Sequence, residues 1–265
     1  MSSVGHIAGD SIFRAAFRFL RSPKVGGKMA ADGVHYLKVG KGSTRPLKVT
    51  LSDGARKIYK VNPRSSARAS VPTDGITNRE VAAYRLDRLF GFDLVPKTEF
   101  WAGKNGRGSL QDWVKDVKGG LSVNSYEMAD RERMAIFDYV AGNTDRHSGN
   151  YLTRRDNGRP LAIDHGYCFP SSDKSPIISD FVADRFDRPI SDEVIAQVRS
   201  VSPQRLADEL RSCGLDEDAV AGAAARLREV QQLEPGRIQG TAWPGMIQDS
   251  FRLPVRRVSV PPEWL

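Results

Sequence analysis

Apolar and polar positions follow two different periods along this chain. Val34-His-Tyr-Leu-Lys-Val39, Pro46-Leu-Lys-Val-Thr-Leu51 and Arg56-Lys-Ile-Tyr-Lys-Val61 alternate, and turn residues separate them. That period of two predicts three β-strands within residues 35–62, the last stopped by Pro63. From Thr77 to Phe90 the period changes. Ala82, Leu86, Leu89 and Phe90 share one helical face, and Gly91 supplies the stop. Residues 93–118 read as short strands and a turn, from Leu94 to Trp101 and from Gly108 to Val114. A second helix is predicted from Asp130 to Ala141, with Met134, Phe137 and Val140 inward and Gly142-Asn143 ending it. Two short strands, Tyr151-Leu-Thr153 and Leu161-Ala-Ile163, flank a hairpin turn at Asp156-Asn-Gly158. Residues 191–232 are mostly helical in pattern, and no segment repeats.

The order of elements predicts an α+β chain of two lobes. A small β-rich N-lobe with one helix and its hinge would occupy residues 35–118. A mainly helical C-lobe would occupy 119–233, with an extension at 1–34 and a Pro-containing tail at 234–265. A cleft between two lobes is the usual place for a ligand.

Charge changes the picture at one end. Residues 1–70 hold 14 Lys/Arg against 3 Asp/Glu, a net of +11, while the remaining residues hold 26 against 29, a net of −3. A polyphosphate, an acidic protein, nucleic acid or an anionic membrane surface would each suit the basic part. Within residues 11–21, Arg14, Arg18 and Arg21 recur at helical spacing among Phe13, Phe17 and Leu20. Such a stretch suits a membrane surface, but packing on its own domain is the favoured reading. No nucleic-acid motif accompanies the charge, so no specific nucleic-acid partner is expected. Cys168 and Cys213 cannot form a disulfide framework. No run approaches a membrane span and no apolar signal core is seen, so the expected location is cytoplasmic.

The richest chemistry lies in Asn143-Thr-Asp-Arg-His-Ser-Gly-Asn150 and Leu161-Ala-Ile-Asp-His-Gly166. Asp145 and Asn150 stand five residues apart in one loop, and Asp164 follows 14 residues later across the hairpin. Phosphoryl transfer needs a carboxylate for the attacking hydroxyl's proton. It also needs a carboxamide oxygen and a second carboxylate to hold the metal that bridges the phosphates. The kinase pattern Asp-x4-Asn, then a strand-borne Asp-x-Gly, has this layout. Either half alone would be two ordinary Asx turns.

The same chemistry predicts upstream partners. Lys60 ends the third strand, and Ile58 points to the same face, where it would roof a nucleotide base. Glu80, in the first turn of the predicted helix, is the candidate to hold Lys60. Thr77-Asn-Arg-Glu80 also matches a capping box, which would leave Glu80 a purely local role. Lys48 and Lys57 are rival lysines, Lys57 on the opposite face. Gly40, Gly42 and Ser43 form a turn suited to covering phosphates, although it is not a full glycine-rich loop.

These segments resemble the atypical kinases. Tyr59-Lys60, residues 78–96 and Ile136 to His147 are most similar to the Golgi casein kinase family and its bacterial relatives. The Asp-Arg-His-x-x-Asn and Ile-Asp-x-Gly pieces resemble phosphoinositide 3-/4-kinases and HipA-type kinases. The resemblance covers residues 36–185. It implies a kinase-like fold, ATP, and Mg2+ or Mn2+. It gives Lys60, Glu80 and Asp145 the catalytic positions, and Asn150 and Asp164 the metal. Asn150 replaces the Golgi family's usual carboxylate, which favours the phosphoinositide-kinase and HipA pattern. His165 replaces the Phe of Asp-Phe-Gly, and Arg146 and His147 are expected to brace the loop. The expected activity is ATP-dependent transfer of the γ-phosphate to a protein Ser/Thr or a small alcohol. The alternatives are a nucleotide-binding pseudokinase, a regulatory module, or AMP transfer.

Overall fold

The computed structural model describes residues 34–38, 46–63, 75–171, 175–232, 236–240 and 247–248. The Gly40, Gly42 and Ser43 turn and the basic stretch at 11–21 lie outside them. Five antiparallel strands form the first sheet: β1 His35–Lys38, β2 Leu47–Thr50, β3 Arg56–Val61, β4 Thr98–Gly103 and β5 Gly106–Asp112. Their spatial order is β1-β2-β3-β5-β4, with helix α1, Ile76–Phe90, inserted between β3 and β4. A second antiparallel sheet, β6 Val117–Gly119, β7 Tyr151–Arg154 and β8 Pro160–Ala162, follows the connection Trp113–Asp116. Around it lie α2 Met128–Ala141, β9 Ile177–Ile178, α3 Asp180–Arg185, α4 Asp192–Arg199, α5 Pro203–Ser212 and α6 Glu217–Gln232, with β10 Ile247–Gln248 parallel to β9. The chain is thus a β-rich N-lobe with one helix and a mainly helical C-lobe.

The pleat gives the first sheet two different faces. Tyr36, Leu47, Val49, Tyr59 and Leu110 pack together on one face, with Val34 beside them. Lys48, Ile58 and Gln111 are cross-strand neighbours on the other face, and Lys60 opposes Ser109 there. As expected, Lys57 lies opposite and pairs with Asp112. Lys48 shares the face of Ile58, but its ammonium sits 4.6 Å over the ring of Trp113.

Helices α1 and α2 end where glycine permits it. Gly91 at φ 68° and Gly142 at φ 59° adopt the left-handed conformation and return their N–H groups to the last turn. Helix α1 buries Val81, Ala82, Ala83, Leu86 and Phe90 in the same large cluster as Met134, Phe137 and Val140 of α2 and the apolar faces of α3–α6.

Three local expectations change. The strand predicted from Leu94 begins only at Thr98, because the buried Asp87 carboxylate accepts the Leu94 and Val95 N–H groups and bends that segment toward β8. Helix α1 starts before Thr77. Its Thr77 N–H bonds Asn62 Oδ1 at 2.8 Å, so a residue 15 positions away supplies the cap. Glu80 therefore lies in the second turn and does not cap. Helix α3 was not predicted; it is short, and Ser179 caps it by accepting from Val182 N–H.

Candidate active site

The register of β3 brings Lys60 under the sheet, where it meets two carboxylates. Its Nζ lies 2.6 Å from Glu80 Oε1 and 3.2 Å from Asp164 Oδ1. Burial alone would depress the ammonium pKa, but Asp164 and Glu80 more than offset this and the net shift is upward. Glu80 is buried too. Burial pushes its carboxyl up, Lys60 pulls it down further, and the net shift is downward. The result is a fixed cation held between two elements far apart in sequence.

Asp164 follows β8 in the left-handed region at φ 58°. Asp adopts this conformation more readily than most side chains, and Asp93, Asp116 and Asp187 share it. The next residue, His165, is fully buried and stands edge-on to Phe137. Its Nδ1 is 3.7 Å from Glu80 Oε2, and burial, partly opposed by Glu80, lowers its pKa.

The loop after α2 is closed by its own polar groups. Asn143 Oδ1 accepts the Asp145 N–H, Asn150 Nδ2 donates to the Asp145 carbonyl, and His147 Nδ1 accepts the Gly149 N–H. Ile163 N–H donates to the Asn150 carbonyl at 3.0 Å, so the residue before Asp164 is tied to Asn150. Arg146 completes the tie. Its Nη1 donates to the carbonyls of both Asn150 and Ile163, and its Nε bonds the Asp138 carboxylate at 3.1 Å. Asp138 also accepts from Asn143 and Ser179, so the helix, the loop after it and the segment of Ser179 meet on one buried carboxylate.

The structure therefore joins Lys60, Glu80 and Asp164 directly, the Asn150 amide to the Asp145 carbonyl, and the Asn150 carbonyl to Ile163, the residue before Asp164. Ile58 stands two residues before Lys60 on the same face, buried but in neither apolar cluster. Asp138 was not singled out from sequence. Its signal is an acid between Phe137 and Tyr139, all three fully buried on one helix.

One atom tests whether a cation fits. Asn150 Oδ1 is buried and accepts no hydrogen bond, while Nδ2 of the same amide is engaged and fixes the orientation. A buried acceptor without a donor is costly and calls for a missing partner. Among the described residues no group of three or more His, Cys, Asp or Glu is placed to hold a metal by itself. Magnesium needs none, since it is usually held by one or two carboxylates together with substrate phosphates.

The family profile described as "Phosphatidylinositol 3- and 4-kinase" matches residues 59–213, which include Lys60, Glu80, Asp145, Asn150 and Asp164. The chain belongs to this family. That places it among the atypical kinases. Two relatives illustrate the match. Phosphatidylinositol 4-kinase gamma 3 of Arabidopsis thaliana is 29% identical over 169 residues, covering 51% of this chain and 29% of the plant protein. Protein Rv2133c of Mycobacterium tuberculosis is 26% identical over 213 residues, covering 66% of this chain and 73% of that one. The chain thus spans less than a third of the length of the plant family member. A solved Golgi casein kinase overlaps with a TM-score of 0.48 at 14% identity, covering 74% of this chain and 70% of that one.

Proposed function

We propose that this chain transfers the γ-phosphate of ATP to an alcohol hydroxyl, with Lys60, Glu80, Asp145, Asn150 and Asp164 as its working residues. The observation that carries this reading is the Lys60 ammonium fixed between Glu80 and Asp164, together with the buried side-chain oxygen of Asn150 that accepts no hydrogen bond. Bound nucleotide and Mg2+ or Mn2+ would supply the transferable phosphoryl group and the charge that offsets its oxygens. Asn150 Oδ1 and the Asp164 carboxylate are the residues to hold the metal. Lys60 presents fixed positive charge to phosphate oxygens, and Glu80 keeps it in place. Asp145 orients the acceptor hydroxyl and takes its proton. Ile58 covers the base. Most of the acceleration then comes from positioning and preorganised charge.

Of the acceptor classes expected from sequence, we favour a small alcohol, and among these an inositol-ring hydroxyl. The family's description and the plant relative's name support that choice.

The test offers phosphatidylinositol vesicles, free inositol and a mixed Ser/Thr peptide pool with Mg2+ or Mn2+. It uses ATP labelled at either the α or the γ position. Incorporation of γ-label into an alcohol, lost in both Asp164→Ala and Asp145→Ala, is the expected result. Label from the α position would mean AMP transfer. Nucleotide binding without turnover in any arm would reduce the chain to a binding module and overturn the proposal.

A further inference from the structure

The residue next to Glu80 has no assigned role, yet its surroundings are unusual. Arg79 sits in the second half of the first turn of α1 and is 1% exposed. A guanidinium taken so far from water requires specific partners. Its Nε donates to the Phe169 carbonyl at 3.2 Å, and its Nη2 donates to Ser171 Oγ at 3.2 Å. The charge is balanced by Asp216, 3.6 Å away. Ser171 Oγ in turn donates to Asp216 Oδ2 at 2.6 Å, and Asp216 Oδ1 accepts the Ala219 N–H at the start of α6.

These partners belong to the stretch that begins with Asp164. Phe169 is itself left-handed at φ 52°, and its N–H bonds the Ala141 carbonyl at 2.6 Å. Its peptide groups are thus held by the end of α2 on one side and by Arg79 on the other. Between Asp164 and Phe169, Cys168 N–H closes a turn on the His165 carbonyl at 3.0 Å. Gly166 lies so close under α1 that an added Cβ would come within 2.8 Å of Ile76 Cγ2. Adjacent helix positions point about 100° apart, so α1 sends Glu80 to Lys60 and Arg79 to the segment behind Asp164.

We propose that Arg79 is a positioning residue. It latches helix α1 to the segment Asp164–Ser171, so that the two carboxylates Lys60 must bridge stay in register. Lys60 meets Glu80 and Asp164 together only while α1 and that segment keep their spacing. Arg79 is a buried polar link between them through its bonds to Phe169 and Ser171, and it stands outside the Lys60 ion pairs. The proposal rests on the phosphotransfer reading for its turnover readout alone.

Gly75 provides a gentle way to disturb the latch. It precedes α1 in an ordinary right-handed conformation, φ −92°, so alanine fits the backbone there. The alanine methyl would collide with Arg79 Nη1, the far end of a flexible side chain. Gly75→Ala therefore moves the guanidinium without emptying the core. The whole chain would be compared as wild type, Gly75→Ala, Arg79→Gln and Arg79→Lys. The readouts are melting temperature, amide exchange of peptides covering residues 164–171, affinity for a fluorescent ATP analogue, and ATP turnover.

The expected result for Gly75→Ala is near-native melting, faster exchange at Phe169, and weaker analogue binding. Its kcat should fall by about tenfold to a hundredfold, the scale of a small misplacement at a reacting centre. Arg79→Lys should recover part of what Arg79→Gln loses, because one ammonium can still reach one acceptor. Unchanged exchange and unchanged analogue affinity in Gly75→Ala and Arg79→Gln would overturn the latch, even if both variants melt earlier. Faster exchange with unaltered analogue affinity would overturn the positioning role. A wild type that shows no turnover counts against the phosphotransfer reading, and exchange and analogue binding then decide the latch alone.

Discussion

The sheet of β1–β5 and the helical part of the molecule are stabilised in different ways, and the site is drawn unequally from them. The sheet's apolar cluster is small: Val34, Tyr36, Leu47, Val49, Tyr59 and Leu110. The second cluster runs from α1 through α2 to α6 and takes in Cys168 and Phe169 next to the site. Helix α1 lies between β3 and β4 in sequence, but its buried face belongs to the second cluster. Asp145, Asn150 and Asp164 are consequently carried by one body and Lys60 and Ile58 by the other, while Glu80 rides on the helix that packs against both. The difference teaches that the Lys60 ion pairs lie on a seam. Loosening the sheet acts first on Lys60, and it reaches Glu80 only through the contacts of α1 with β3, β4 and β5.

The largest expected effect strikes the helical side. Asp138 is fully buried and compensates the fully buried Arg146. In Asp138→Ala that guanidinium loses its counter-charge, and removing one partner of such a pair costs about 3–5 kcal/mol. Denaturant unfolding should show this as an early midpoint of the main transition. A loss below about 1 kcal/mol would mean that the loop carbonyls alone hold Arg146, and the two regions would be less different than they look.

A matched pair of core truncations addresses the seam. Leu86→Ala in α1 should lower global stability by roughly 2–5 kcal/mol. Val49→Ala in the sheet removes less volume and should cost roughly 1–3 kcal/mol. Their consequences should differ in kind. Val49→Ala should weaken nucleotide-analogue binding through Lys60 while amide protection in α2 stays native. Leu86→Ala should reduce protection in α1 and α2 together. Equal loss of protection in both regions for both variants would show a single cooperative unit and dissolve the comparison.

Much of this arrangement was legible in the chain. The periods placed β3, α1 and α2, and glycine marked both helix ends, because these are local signals. The loop and the hairpin that carry Asp145, Asn150 and Asp164 were legible because they are local in sequence. What remained hidden depends on distant partners. The cap of α1 comes from Asn62, so Thr77-Asn-Arg-Glu80 suggested a local box that the helix does not use. The burial of Arg79 is set by Phe169 and Ser171, some 90 residues away, while the late start of β4 rests on a nearer contact, from Asp87 across the helix end to Leu94 and Val95. No period in the sequence reports such a contact. The two-faced membership of α1 was hidden for the same reason: its apolar stripe says that it packs, but not on which body.

Asp87 offers a smaller, pH-dependent test of the helical side. Burial, only partly opposed by the Val95 and Leu94 N–H groups, raises its pKa to about 6. In the unfolded chain an Asp titrates near about 3.9. Below that value the group is protonated in both states, and the fold bears no ionisation cost. As pH rises through the folded value the native state must lose a proton that the unfolded state has already lost, so stability falls. Relative to Asp87→Asn, wild type should lose roughly 2–3 kcal/mol between about pH 4 and pH 7 and stay level above. Urea midpoints for the two proteins across that interval give the answer. A constant difference would show that the carboxylate is ionised at no cost in its N–H cradle.

The smallest effect should come from the same helix, two residues earlier. Arg85 lies 3.6 Å from Glu209 of α5, but its side chain is 51% exposed and that of its partner 31%. Solvent and salt screen such a pair, and exposed pairs contribute about 0.2–1 kcal/mol at most. Arg85→Ala should therefore shift the unfolding midpoint barely, lose even that shift in high salt, and leave ATP-analogue affinity and turnover unchanged. Arg79 and Arg85 both reach from α1 to the helical part, and only the first is buried against the segment of Asp164. If Arg85→Ala weakened the analogue as much as Gly75→Ala does, any loosening of α1 on its bed would suffice to disturb Lys60. Burial at Arg79 would then carry no special weight, and the seam rather than the latch would set the geometry of the site.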